Sequence, residues 1–123
     1  MSLQDQAVEF RHAYDVENSP DNKEMQLKLI IEECNEFVHA HNNEAHTDVL
    51  KELADLVYVC FQYAENLEWD LDEAMRRVHQ SNMSKLDEDG KPIRREDGKV
   101  LKGPNYKPPF LGDLCHFTEE TNA

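Results

Sequence analysis

No apolar stretch in this chain runs for more than a few residues, which excludes a membrane-spanning helix, for which about 20 are needed. The N-terminus, Met1-Ser2-Leu3-Gln4-Asp5-Gln6, has neither the basic start nor the apolar run of a signal peptide, so the expected location is the cytoplasm. Cysteine is scarce and odd in number: Cys34, Cys60 and Cys115 are widely spaced and form no CxxC pair. A disulfide framework is excluded on that count. Two of the three fall within helical apolar patterns, and the expectation is buried free thiols in a reducing compartment. Basic residues are also few, 13 Lys and Arg against 26 Asp and Glu, and the formal charge of −13 excludes a binder of nucleic-acid polymers. Neither a repeat nor a low-complexity tract is present.

What basic charge there is lies in one place. Residues 85–107 hold seven of the thirteen (Lys85, Lys91, Arg94, Arg95, Lys99, Lys102, Lys107) against five acids, a net +2 that leaves −15 for the remainder. With 123 residues there is room for one domain, 1–123, with one core. The apolar periodicity predicts four helices. Leu3, Ala7, Phe10 and Tyr14 mark the first, over about 3–16, ended by the turn residues Asn18-Ser19-Pro20-Asp21-Asn22. A second spans about 24–41, with Leu27, Ile30, Ile31, Cys34, Phe37 and Val38 on its apolar arc, followed by a polar loop at 41–44. The third, about 48–66, is apolar around half its circumference, which implies more than one neighbour. Asp70 with Glu73 gives a capping-box-like start to a fourth, whose face is Leu71, Ala74, Met75 and Val78. The helical core thus covers about 3–86. Turn dipeptides at Asp89-Gly90 and Asp97-Gly98 and four prolines make 87–123 an irregular basic tail, with a small hairpin around Ile93 and Val100-Leu101.

The chemistry-bearing pattern is acidic. Glu32, Glu33 and Glu36 read E-E-x-x-E; Glu52 and Asp55 read E-x-x-D. At about 100° per residue, Glu33 and Glu36 share a face, as do Glu52 and Asp55, and two adjacent antiparallel helices bring the faces together. Geometry alone leaves two readings, a metal site or a solvated acidic face. Like charges at these spacings disfavour a helix, apolar Leu29, Ala40 and Val59 fall within the same faces, and a hard divalent cation wants several converging carboxylate oxygens. On the anion side, Asn82 and Lys85 continue the apolar face of the fourth helix, with Lys85 either aimed at the acids or reaching water beyond a frayed end. Lys99, Lys102 and Tyr106 of the tail are candidates to fold over the same site. Arg76-Arg77 reads as a surface pair. Glu36-x-x-His39 is half of a di-iron motif whose second half is missing, and the remaining histidines, His12, His41, His46, His79 and His116, are ordinary polar positions.

The segments Leu29-Ile30-Ile31-Glu32-Glu33-Cys34-Asn35-Glu36 and Lys51-Glu52-Leu53-Ala54-Asp55-Leu56-Val57-Tyr58 resemble the all-α nucleotide pyrophosphohydrolases, which include MazG, dimeric dUTPases and phosphoribosyl-ATP pyrophosphohydrolase. The runs 78–86 and 98–109 extend the resemblance to about 8–111 and point to its small MazG-like or phosphoribosyl-ATP pyrophosphohydrolase-like branch. The resemblance implies an all-α, four-helix bundle-like domain completed by homodimerisation, sometimes as a tetramer. The implied reaction is hydrolysis of the α–β phosphoanhydride of a nucleotide with Mg²⁺, or Mn²⁺ in its place. By motif, Glu33, Glu36, Glu52 and Asp55 would ligate the ion and Glu32 would orient or deprotonate the attacking water. Asn82 and Lys85 would contact phosphates or sugar, with Lys102 and Tyr106 closing the site. A triphosphatase of nucleotide-pool housecleaning is the leading expectation. The alternatives are the phosphoribosyl-ATP enzyme of histidine biosynthesis and a helical metal-binding module without turnover.

Overall fold

Ser2 opens the first helix, α1 (Leu3–Ala13), with a full capping box: its hydroxyl accepts from the Asp5 N–H and the Asp5 carboxylate accepts from the Ser2 N–H. The computed structural model describes residues 1–43 and 45–115. Helix α1 stops three residues earlier than the periodicity predicts, because Asp15 turns into the left-handed region at φ 54° and the Val16 N–H returns to the Arg11 carbonyl. Pro20–Asn22 forms a single 3-10 turn capped by Ser19 and leads straight into α2 (Lys23–Asn43). Helix α2 runs through the predicted polar loop, with the Asn43 amide donating to the His39 carbonyl, and α3 (His46–Asn66) begins almost at once. Two 21-residue helices joined so tightly must run antiparallel, and they pack along their length.

Helix α3 ends without a glycine. Glu68 supplies the left-handed conformation at φ 59°, and the Trp69 N–H reaches back to the Ala64 carbonyl. Asp70 then caps α4 (Leu71–Met83) by accepting from the Glu73 N–H. The expected reciprocal role of Glu73 goes elsewhere, for its carboxylate pairs with Arg76 and Arg77. Beyond Met83, turns at Gly90 and Gly98 (φ 74° and 88°) frame the predicted hairpin, β1 (Ile93–Arg94) antiparallel to β2 (Val100–Leu101).

Beside the edge-on contact of Phe10 with Tyr58, a polar network joins α1 to α3. The Arg11 guanidinium donates to Asn18 Oδ1 (2.7 Å), Gln62 Oε1 (3.2 Å), Asn66 Oδ1 (2.9 Å) and the Glu17 carbonyl (3.1 Å). Asn66 is 1% exposed; its oxygen also accepts from the Ser19 N–H and its amide donates to the Ser19 carbonyl at 2.7 Å. The apolar core, by contrast, is thin. Among the described residues only Ala7, Ala40, Phe61, Ala64 and Leu67 are buried apolar side chains. The apolar arc of α2 splits: Ile30 and Phe37 are half-buried, whereas Leu27, Ile31, Cys34 and Val38 form an exposed stripe. The wide stripe of α3 does meet two neighbours, α1 and α2, yet Leu50, Leu53, Val57 and Tyr58 remain exposed along a cavity of about 390 Å³ between α1 and α3. The expectation of buried thiols fails as well. Cys34 faces solvent on the outer stripe, and Cys60 and Cys115 are only partly covered. No described helix is long and apolar enough to cross a membrane.

Candidate active site

The packing of α2 against α3 brings the two acidic motifs together. One carboxylate oxygen from each of Glu33, Glu36 and Glu52 lies within 4.8 Å of the others, the three coming from two different helices. Apolar neighbours cover the flank as the sequence suggests: Ala40 is fully buried, and Leu29 and Val59 are half-buried. Glu33 and Glu52 are half-buried, whereas Glu36 is exposed. Glu33 Oε2 and Glu52 Oε2 are buried with no hydrogen-bond partner. Burial, followed by the charges of Glu36, Asp55 and Glu52, pushes the Glu33 carboxyl above the usual carboxylate range. Buried acceptors without donors are costly, and a cation is the ligand that answers several at once. The donor set is oxygen only, which suits a hard divalent ion and gives a di-iron centre no histidine ligand.

The other two acids sit at the edge. Glu32 is exposed beside the cluster. Asp55 adds its charge to the field at Glu33 but is itself paired with Lys51, Nζ to Oδ2 at 2.7 Å, and Lys51 also stands 3.5 Å from Glu52 Oε1. Lys51 was not singled out by motif, although its i,i+4 spacing from Asp55 in Lys51-Glu52-Leu53-Ala54-Asp55 is a sufficient signal.

The anion-side candidates lie on the end of α4 and in the tail. Helix α4 ends at Met83, so Lys85 lies past the helix rather than on its apolar face, and Asn82 is exposed. No hydrogen bond or ion pair among the described residues joins either side chain to the acidic cluster. Lys102 Nζ lies 4.8 Å from the centroid of the Tyr106 ring, a cation–π contact within the tail itself. The Lys99 N–H donates to Asp97 in the hairpin turn. His116 lies outside the described residues.

The tail is instead latched to α4. The Ser81 hydroxyl donates to the Lys107 carbonyl at 2.7 Å, and the Lys107 N–H donates to Ser84 Oγ at 2.9 Å. Arg77 donates to both oxygens of Asp113 (2.6 and 3.1 Å) and to the Phe110 carbonyl at 3.0 Å, while holding Glu73 with its Nε. Arg77 is thus no ordinary surface residue, and nothing in the sequence pairs it with an aspartate 36 positions away. Gly103 completes the latch by close approach: a Cβ there would stand 2.6 Å from the Lys85 and Leu86 carbonyl oxygens.

Comparison with known proteins gives the family of the chain. The phosphoribosyl-ATP pyrophosphohydrolase family model matches residues 4–82, all of α2 and α3 and all but one residue of each of α1 and α4, while the tail lies beyond the match. No curated protein matches the chain. The acids that converge between α2 and α3 therefore sit in the matched part of a chain that belongs to the phosphoribosyl-ATP pyrophosphohydrolase family, enzymes that hydrolyse a phosphoanhydride bond.

Proposed function

We propose that this pyrophosphohydrolase uses Mg²⁺ to cleave the α–β phosphoanhydride of a nucleoside triphosphate, giving a nucleoside monophosphate and pyrophosphate, as a nucleotide-pool housecleaning enzyme of the cytoplasm. The observation that carries the reading is the convergence of Glu33, Glu36 and Glu52 with two buried oxygens left without partners. These three, with Asp55 from the rim, would hold the ion. When bound, Mg²⁺ supplies the positive charge that lets an acidic face accept a polyphosphate and that stabilises the attacking and leaving oxygens. Glu32, an exposed neighbour of Glu33 in the E-E-x-x-E motif, would take a proton from water as its oxygen bonds to phosphorus and the electron pair of the anhydride bond leaves on pyrophosphate. Without a cation, at an effective dielectric near 20, each like-charge pair about 4 Å apart would cost roughly 4 kcal/mol.

The second half of the proposal is a homodimer, or a tetramer built from it. A core of so few buried apolar side chains, two separate exposed apolar faces, and an α4 with only sparse contact to α1 and α3 support it. The α1–α3 cavity lies on the back of α3, since Val57 follows Glu52 by five residues, about 140° around the helix. In this reading the occupant of that groove is a second copy. Assembly would also give Asn82, Lys85, Lys102 and Tyr106 their route to phosphates bound at a neighbouring acidic face.

The family match is equally consistent with a second reading, phosphoribosyl-ATP as the substrate of the same site. A pyrophosphate-release panel decides. Purified protein with Mg²⁺ is offered canonical and modified nucleoside triphosphates and phosphoribosyl-ATP. Release from a triphosphate at least tenfold more efficient than from phosphoribosyl-ATP is the expected result; the reverse order moves the enzyme to histidine biosynthesis, and no release from any substrate sinks both. Sedimentation of the same sample at a monomer mass would remove the dimer.

A further inference from the structure

Asp55 holds a cation more closely than any other of the five acids does among the described contacts, and Glu52 shares it at a longer distance. Lys51, one helical turn earlier on α3, places Nζ 2.7 Å from Asp55 Oδ2 and 3.5 Å from Glu52 Oε1. The oxygens that converge to ligand spacing are those of Glu33, Glu36 and Glu52, without Asp55. The interior of the cluster is left with unpartnered oxygens on Glu33 and Glu52, while the rim is neutralised from outside by a lysine that is 67% exposed.

We propose that Lys51 is a tethered counter-ion of the metal-free site, which occupies Asp55 and must be displaced before Asp55 can ligate a divalent ion. This rests on the metal-binding reading above. An ammonium carried on the same helix competes with a free ion intramolecularly, and no ion concentration in solution changes its presence. Its hold is modest, because an exposed ion pair is screened and pays the entropy of a long side chain, so a divalent ion that gains several carboxylates wins. The competition then appears as a weakened metal affinity, not as a block. Lys51 is thus a positioning residue that acts through Asp55.

The test titrates Mn²⁺ alone, read by the EPR signal of the free ion, into full-length wild type, Lys51→Met, Lys51→Arg, Asp55→Asn and the Lys51→Met/Asp55→Asn double variant. Thermal denaturation without metal checks folding, and Lys51→Gln replaces Lys51→Met if the added apolar surface causes association. Expected are affinities about three- to fivefold tighter for Lys51→Met and near wild type for Lys51→Arg. In the Asp55→Asn background, removing the lysine should change affinity less than about twofold. Unchanged or weaker binding by Lys51→Met overturns the proposal. So does an equal gain with Asp55→Asn, since the general field of one positive charge would then be the cause. If wild type binds no Mn²⁺, the metal reading falls and this proposal with it; if wild type binds and Lys51→Met is unchanged, only the role of Lys51 falls.

Discussion

The α2–α3 pair and the α4–tail unit handle charge in opposite ways. In the first, long helical packing forces like charges together: Glu33, Glu36 and Glu52 converge, and Lys51 supplies a counter-charge from outside, close to Asp55 and farther from Glu52. In the second, opposite charges find each other locally, Arg77 with Glu73 and Asp113, Arg95 with Asp97. A fold retains unneutralised charge only where stronger packing holds it, so the first region is the one poised for an external cation. The basic tail, which from composition alone looks like a partner for the acids, spends part of its charge on itself.

The comparison breaks most visibly at Glu36. Glu36→Gln removes a charge from the repelling cluster, so the metal-free protein should melt no lower than wild type. Pyrophosphate release should nevertheless fall by about 10²-fold or more, the usual scale for losing one preorganised charge stabiliser. Activity within a few-fold of wild type, measured at saturating Mg²⁺, would mean that the cluster is a solvated face after all.

Next in size is the polar joint that holds the body together. Asn66→Ala strands the Ser19 N–H and one guanidinium donor of Arg11, both facing a buried site. Leaving buried donors unpaired costs about 1–3 kcal/mol each, so a loss of roughly 2–4 kcal/mol is expected in urea denaturation. A loss below about 1 kcal/mol would show the joint to be wetter than its 1% exposure indicates.

Gly103→Ala probes the other region. The added Cβ would collide with two backbone carbonyls, and overpacking of this kind costs about 1–3 kcal/mol. Because the tail is latched to α4 rather than to α2 or α3, the cost should fall on local opening. Proteolysis between 87 and 111 should accelerate severalfold while the melting temperature of the body moves by only a few degrees. A cooperative loss of the whole fold would erase the distinction between the two regions.

How much of this was legible follows from the same division. Period and spacing place α1 to α4 and the two halves of the acidic cluster, because each depends on residues within one or two turns of each other, and the short link between α2 and α3 brings the halves together. Even the end of α1 was missed by only a few residues, where Asp15 takes a left-handed conformation that no composition rule demands. Long-range features were invisible: the bond of Arg77 to Asp113, the fit of Gly103 under Leu86, and the buried Arg11–Asn66 network each join positions at least 17 residues apart, at spacings without a period. The outward stripe of Leu27, Ile31, Cys34 and Val38 was read as core because apolarity reports burial without saying against what.

The smallest effect is also the one in which the two regions should move in opposite directions. Glu33 in the folded, metal-free protein holds its proton more tightly than an unfolded glutamate, whose value is 4.5. Below that value both states are protonated. As pH rises through it the unfolded chain ionises first, so the folded state loses stability from about 4.5 up to the raised folded value and is flat above it. In the tail, Asp113 and Asp97 are held below their ordinary value of 3.8, chiefly by the side chains of Arg77 and Arg95. Their contribution is complete above 3.8 and is lost as pH falls through the depressed values, which loosens the latch only in acid. Hydrogen exchange in metal-free protein should therefore show protection of α2 and α3 declining from pH 4.5 up to the raised Glu33 value and level above it, once intrinsic exchange rates are corrected, and protection at 103–113 declining below pH 3.8. Glu33→Gln, or saturating Mg²⁺, should flatten the first decline and leave the second untouched. A single transition shared by both regions would mean that the charges of body and tail are coupled, against the separation drawn from their contacts.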